Sequence, residues 1–201
     1  MSQSPFNPDQ FFKSACLFEG SLLIVAIILG WIADINPLAD IHFSESSVFY
    51  GIAGTVPLFV LFLILQKIDA SSVVAIRRIL LETLAPGLAR CNWADLLILS
   101  VIAGVSEEVL FRGVVQPWIE ASWGLHAGLV WSSVLFGLVH AITPLYALLA
   151  TLVSVYLGLA LDYGDGRNLL TPIIIHGLYD FLAFLVIMKS FKDFESNHFS
   201  A

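Results

Sequence analysis

Two adjacent carboxylates, Glu107 and Glu108, and an arginine, Arg112, lie inside a stretch that is otherwise apolar from residue 96 to 115. A charge at membrane depth costs about 2.5–3.5 kcal/mol on insertion scales, so such residues are paired or have a role. Two later apolar runs carry ionisable groups as well. One reads Phe136-Gly137-Leu138-Val139-His140, the other His176-Gly177-Leu178-Tyr179-Asp180. Glu108 and Arg112 share a helical face in the acid-first order that favours an ion pair. Glu107 is turned about 100° away and can face a different helix. Phe136 and His140 share a face, and so do His176 and Asp180.

These residue types point to hydrolysis. A glutamate and a histidine can together hold a water and take its proton. The activated water would attack a peptide carbonyl, and the resulting oxyanion needs donors, one of which His176 can supply. The same residues offer an alternative: Glu107, His140 and His176 are a two-histidine, one-carboxylate zinc set with water at the open position. Otherwise no cofactor is called for. No serine or cysteine sits in a nucleophile motif near a base, and nothing marks Ser106 as activated. Read as structure alone, Glu108 and Arg112 neutralise each other and lock helices together. His42, His126 and His198 receive no role.

The elements that must position these groups are membrane-spanning helices. Of the 201 residues 58% are hydrophobic and 12% charged, half the charge of a soluble domain at roughly 25%. The apolar runs are long and continuous, which argues helices rather than a β-barrel. The fold class is all-α, a polytopic transmembrane bundle of about six spans plus one interfacial amphipathic helix. The spans are predicted at residues 16–33, 48–65, 92–118, 127–142, 145–161 and 171–188. Asn92 is the expected N-cap of the third, and Thr171-Pro172 the expected start of the sixth. Residues 67–90 carry Val73, Ile76, Leu80 and Leu84 at helical spacing, with Arg77 and Arg78 on the other side. That suits a helix lying in the interface or, equally, a linker packed on the bundle. Residues 11–92 form an N-terminal part, 93–188 a catalytic four-helix core and 189–201 a loose polar tail, all in one membrane domain.

Rise per residue places Glu107 about 16 Å, His140 about 21 Å, His176 about 8 Å and Asp180 about 14 Å from the outer ends of their spans. With tilt they can meet in one layer. Gly104, Ser132, Ser133 and Gly137 let helix backbones approach closely. Lys13, Lys67, Arg77, Arg78, Arg90, Lys189 and Lys192 fall on one side of the predicted spans, and Arg167 alone on the other. This sets both termini in the cytoplasm of a multi-pass protein of the cell (inner) membrane. Cys16 and Cys91 then face a compartment where disulfides are rare, and they read as apolar filler. Residues 1–10 lack the basic start of a cleavable signal peptide. The net charge of −7 comes with no basic patch, so nucleic acid is not an expected partner. The expected partners are the lipid bilayer and a peptide or membrane-protein substrate. Oligomeric state is not legible.

The three motifs resemble those of the CPBP family of intramembrane proteases, which includes CAAX-processing Rce1-type endopeptidases and bacteriocin-processing or immunity relatives. The family pattern is Glu-Glu-x-x-x-Arg, Phe-x-x-x-His and His-x-x-x-Asn or a similar polar residue, in that order. The resemblance covers about residues 95–188. It implies a glutamic-type endopeptidase in which Glu107 and His140 activate water, His176 and Asp180 stabilise the oxyanion, and Glu108, Arg112 and Phe136 support them. Asp180 departs from the Asn of many relatives. An ionised Asp cannot donate to an oxyanion, so Asp180 is protonated, or orients His176, or belongs to a metal site. A different class of function also fits the polar layer: a non-catalytic scaffold, immunity factor or ion carrier.

Overall fold

The computed structural model describes residues 8–164 and 166–199. Residues 1–7, where most of the signal-peptide expectation falls, lie outside them. The described residues form helices joined by short turns and loops, with no strand. In chain order the elements are α1 (Pro8–Ala33), α2 (Glu45–Leu65), α3 (Ser71–Thr83), α4 (Ala85–Leu88) and α5 (Trp93–Leu110), then a π-helical turn (Phe111–Val115). They continue with α6 (Gln116–Trp123), α7 (Leu125–Val139), α8 (Pro144–Leu161) and α9 (Leu170–Phe199). Four segments are long and apolar enough to cross a membrane: Gln10–Ala33, Glu45–Leu65, Pro144–Leu161 and Leu170–Phe194. Leu125–Val139 is a shorter apolar helix. Their outward faces expose large apolar side chains such as Leu17, Ile24, Phe49 and Leu152, a surface that lipid tolerates and water does not.

α5 sits at the centre. It packs against α1 on one side and α9 on the other, α2 lies on α9, and α7 pairs with α8. Asn92 begins α5 as expected, in a capping box: its Oδ1 accepts from Ala94 N and Asp95 N at 2.8 and 3.1 Å, and Asp95 Oδ2 accepts from Asn92 N at 3.0 Å. The chain then runs through the π turn into α6. Close approach depends on small residues. A Cβ on Gly104 would lie 2.8 Å from the backbone nitrogen of Gly177, so α5 and α9 touch main chain to main chain. Gly137 meets Thr151 and the Ala147 carbonyl in the same way between α7 and α8, and Ser132 and Ser133 are buried beside it.

Several boundaries differ from expectation, each for a physical reason. α7 stops at Val139 and not at residue 142, because Thr143 caps the next helix: its Oγ1 accepts from Tyr146 N at 3.1 Å and Pro144 opens α8. His140 therefore lies just beyond a helix end. α9 starts at Leu170, one residue ahead of Thr171. Asn168 supplies the cap, its Oδ1 accepting from Leu170 N at 3.0 Å, while its Nδ2 donates to the His42 carbonyl and Ser47 Oγ. The loose tail is absent from the described residues, where α9 continues to Phe199. Loss of hydrophobicity ends a membrane span but not a helix, and no Gly or Pro interrupts residues 189–199. α3 buries Val73 and Ile76 against the bundle, with Arg77 donating to the Gln66 carbonyl and lying 3.4 Å from Asp69.

At the opposite end, Arg167 donates in two bidentate forks, to Glu120 at 2.8 and 3.0 Å and to Asp162 at 2.8 and 3.0 Å. The Asp162 and Glu120 carboxylates hold its guanidinium well above the ordinary arginine range. Cys16 and Cys91 are unbridged, and burial pushes the Cys91 thiol up.

The main-chain contact at Gly104 yields a test. Gly104→Leu should force α5 and α9 apart and lower the melting temperature of the purified protein by several degrees. Gly20→Leu, where a Cβ meets nothing within 4 Å, should change it little.

Candidate active site

The ion pair expected on α5 is formed. Arg112 Nη1 donates to Glu108 Oε1 at 3.0 Å, with both side chains essentially inaccessible at 1% and 0% exposure. Arg112 Nη2 donates across to α8, to the Ser154 carbonyl at 2.7 Å and Ser154 Oγ at 2.9 Å. Its guanidinium carbon lies 5.1 Å from the centre of the Phe136 ring, within cation–π reach. Arg112 belongs to the π turn, a device that widens a helix locally and recurs at functional sites.

Glu108 has a second donor, His176 Nδ1 from α9, at 2.8 Å on the same oxygen. The other ring nitrogen, Nε2, faces Asp180 Oδ2 at 3.5 Å. His176 was expected beside Glu107; it is bonded to Glu108. The rotation between adjacent helical positions sends the two carboxylates to different partners. Glu107 faces α7, where its Oε2 lies 3.5 Å from His140 Nε2. That oxygen is buried and has no hydrogen-bond partner among the described residues.

His140 is held with care. Its Nδ1 lies 2.8 Å from the Phe136 carbonyl. A carbonyl only accepts, so Nδ1 carries a proton, and in the neutral ring Nε2 is an acceptor aimed at Glu107. The imidazole lies on the Phe136 ring, centroids 4.3 Å apart and planes 20° from parallel. Phe136 also meets Phe111 edge-on, ring centroids 4.9 Å apart. The i,i+4 pair of the second motif is thus a platform and its passenger, joined by a backbone hydrogen bond.

A cavity of about 390 Å³ opens on these groups. Glu107, His140, His176 and Asp180 line it, and Glu108 and Arg112 do not. Apolar residues of α2, α3, α8 and α9 form most of the remaining wall, which reaches Gln66 and Arg77. Three lining residues escaped the sequence reading: Glu19 of α1, Tyr146 of α8 and Tyr179 of α9. Glu19 carried the same signal as Glu107, a charge inside an apolar run. The tyrosines and Ser154 carried none, because polar residues that can snorkel or bond their own helix are common in spans.

The zinc alternative needs three ligands that converge on one point. His176 Nδ1 is engaged by Glu108 and its Nε2 faces Asp180, so Glu107, His140 and His176 do not converge. Among the described residues no group of three His, Cys, Asp or Glu is placed to hold a metal ion, and the arrangement does not fit zinc.

Breaking a buried pair by removing one partner costs about 3–5 kcal/mol, whereas replacing both by apolar groups is often neutral. Arg112→Leu should therefore destabilise the protein strongly. The double substitution Arg112→Leu with Glu108→Leu should recover part of that loss in the same thermal or denaturant unfolding experiment.

Comparison with known proteins finds one family match. No curated protein and no solved structure matches the chain. Residues 89–182 match the family described as Type II CAAX prenyl endopeptidase Rce1-like.

Proposed function

We propose, from the premise that residues 89–182 are an Rce1-like domain, that the chain is an intramembrane endopeptidase that hydrolyses peptide bonds of membrane-associated substrates by a glutamic-type mechanism. Membership in that family implies a CAAX-type protease. One observation carries the glutamic reading: two acceptors, Glu107 Oε2 and His140 Nε2, face each other at 3.5 Å on the cavity wall, and the glutamate oxygen has no protein donor. A water answers both, since it has two protons to donate and a lone pair left for attack.

In this reading Glu107 takes a proton from that water as its oxygen bonds to the substrate carbonyl carbon. The C–N bond then breaks, and the proton passes from Glu107 to the departing amine. His140 orients the water through its fixed tautomer. His176, with its ring charged between Glu108 and Asp180, donates from Nε2 to the oxyanion. Asp180 then serves by holding that ring in charge and orientation rather than by donating itself, which gives its departure from Asn a use. Phe136 supports His140, and Arg112 neutralises Glu108.

The catalytic core is residues 93–188, with residues 11–92 completing the bundle. We take α5 through α6 and α7 as crossing alongside the four long apolar helices, which makes about six spans. Exposed Trp31, Trp93, Trp118 and Trp123 fall near helix ends, where interfacial tryptophans are enriched, and exposed Trp131 lies within α7. With the positive residues this favours an inner-membrane protein with both termini cytoplasmic.

Glu107→Gln should lower cleavage by about 10³-fold, within the range of a lost general base. Membrane proteomes of cells carrying wild-type or Glu107→Gln protein, at equal levels of folded protein, give the measurement: peptide ends that depend on Glu107 are expected. Unchanged ends would sink the protease reading. Topology has its own check. Cysteines replacing Lys13 and Lys192 should react with impermeant maleimide only from the cytoplasmic face, and one replacing Tyr163 only from the outer face.

A further inference from the structure

α1 lies outside the family-matched segment, yet it puts a carboxylate into the cavity. Glu19 lines the same wall as Glu107, His140, His176 and Asp180. Its Oε2 is buried without a hydrogen-bond partner among the described residues. Two basic residues come near this region. Arg112 is engaged by Glu108 and Ser154 and does not line the cavity. Arg77 lines it but is engaged by Gln66 and Asp69. A buried carboxylate oxygen without a donor is costly, and of the described residues with an unpartnered buried side-chain oxygen only Glu19 and Glu107 line the cavity. The mechanism proposed above makes no use of Glu19.

We infer that Glu19 is a substrate-binding residue, accepting a hydrogen bond from a nitrogen donor of the bound peptide. The inference rests on the reading of the cavity as a peptide-hydrolysing site. The division of labour follows from chemistry. A peptide bond offers a carbonyl that needs donors and an N–H that needs an acceptor. His176 provides for the carbonyl, and Glu107 is occupied with water. Glu19 is a remaining acceptor, and it arrives from a different helix. The nitrogen has two sources, the backbone N–H near the scissile bond or the side chain of a Lys or Arg close to it. Both present N–H to the same oxygen.

The test uses the full chain in lipid nanodiscs and a proteome-derived peptide library read by mass spectrometry, with wild type, Glu19→Gln and Glu19→Leu compared. Glu19→Leu is expected to raise KM at least about tenfold with kcat nearly unchanged. Glu19→Gln, which keeps an acceptor oxygen in the same shape, should stay within about threefold of wild type and shows that the fold survives. A loss spread evenly over peptides assigns the backbone N–H; a loss confined to peptides with Lys or Arg near the cut assigns the side chain. Unchanged kinetics in Glu19→Leu, a fall in kcat at constant KM, or a Gln variant as poor as Leu would each overturn the proposal. If wild type cleaves nothing in a Glu107-dependent way, the protease reading fails instead. Retention of the same library on immobilised protein then decides Glu19: weaker retention by Glu19→Leu supports it, and equal retention ends it.

Discussion

Everything near the site depends on the fact that Arg112 and Glu108 are charges with no access to solvent. Neither can stay there alone. Arg112 satisfies itself through Glu108 one turn before it and Ser154 on α8, with its guanidinium carbon over the Phe136 ring of α7. Glu108 adds His176 on α9. One ion pair therefore fixes the rotation of α5 and the approach of three neighbours. A buried pair of this kind adds little net stability over an apolar substitute. Its effect is positional: a rotation of α5 that moved Glu107 would strip partners from Glu108 and Arg112 at the same time.

The second constraint is the end of α7. A helix leaves its last carbonyls without intrahelical donors. The Phe136 carbonyl lies in that last turn, accepts the His140 backbone N–H at 3.3 Å and takes a second hydrogen bond from His140 Nδ1 at 2.8 Å. A carbonyl lone pair left over at the helix end thus selects the histidine tautomer. The short link to Thr143, the stacking on Phe136 and the close approach at Gly137 hold the ring in place. The site is rigid because its histidines are bonded to backbone or buried carboxylate on the side away from the cavity.

Much of this was legible in the chain. Ionisable residues in apolar runs are rare enough to be read singly, and helical spacing gave the Glu108–Arg112 and Phe136–His140 pairs before any contact was known. Depth from helical rise placed Glu107, His140, His176 and Asp180 near one layer, and all four line one cavity. Which residue meets which was not legible. Helix rotation and crossing are set by contacts such as Gly104 on Gly177, and spacing within one helix says nothing about its partner. So His176 went to Glu107 on paper and to Glu108 in the fold. Boundaries failed where hydrophobicity was made to stand for helicity, at the tail after Met188, and where one cap outcompeted another, as Asn168 did Thr171.

Two adjacent glutamates on one helix end in opposite circumstances. Glu108 is dry and does not line the cavity: its Oε1 is bonded to an arginine and a histidine, and its Oε2 has no hydrogen-bond partner among the described residues. Glu107 faces the cavity, and one of its oxygens has no protein donor. The difference follows from the rotation between adjacent helical positions and from what the neighbouring helices present on each side. The same contrast separates Arg112 from Glu19. The arginine has every visible need met from within the bundle, whereas the glutamate on α1 has an oxygen with none. Of the described residues with an unpartnered buried side-chain oxygen, Glu107 and Glu19 line the cavity and Glu108, Gln116, Ser133 and Thr171 do not, so position on the cavity wall rather than an unmet oxygen alone sets those two apart. The cavity wall therefore extends beyond the segment that matches the Rce1-like family to the first helix, which contributes Glu19 to it.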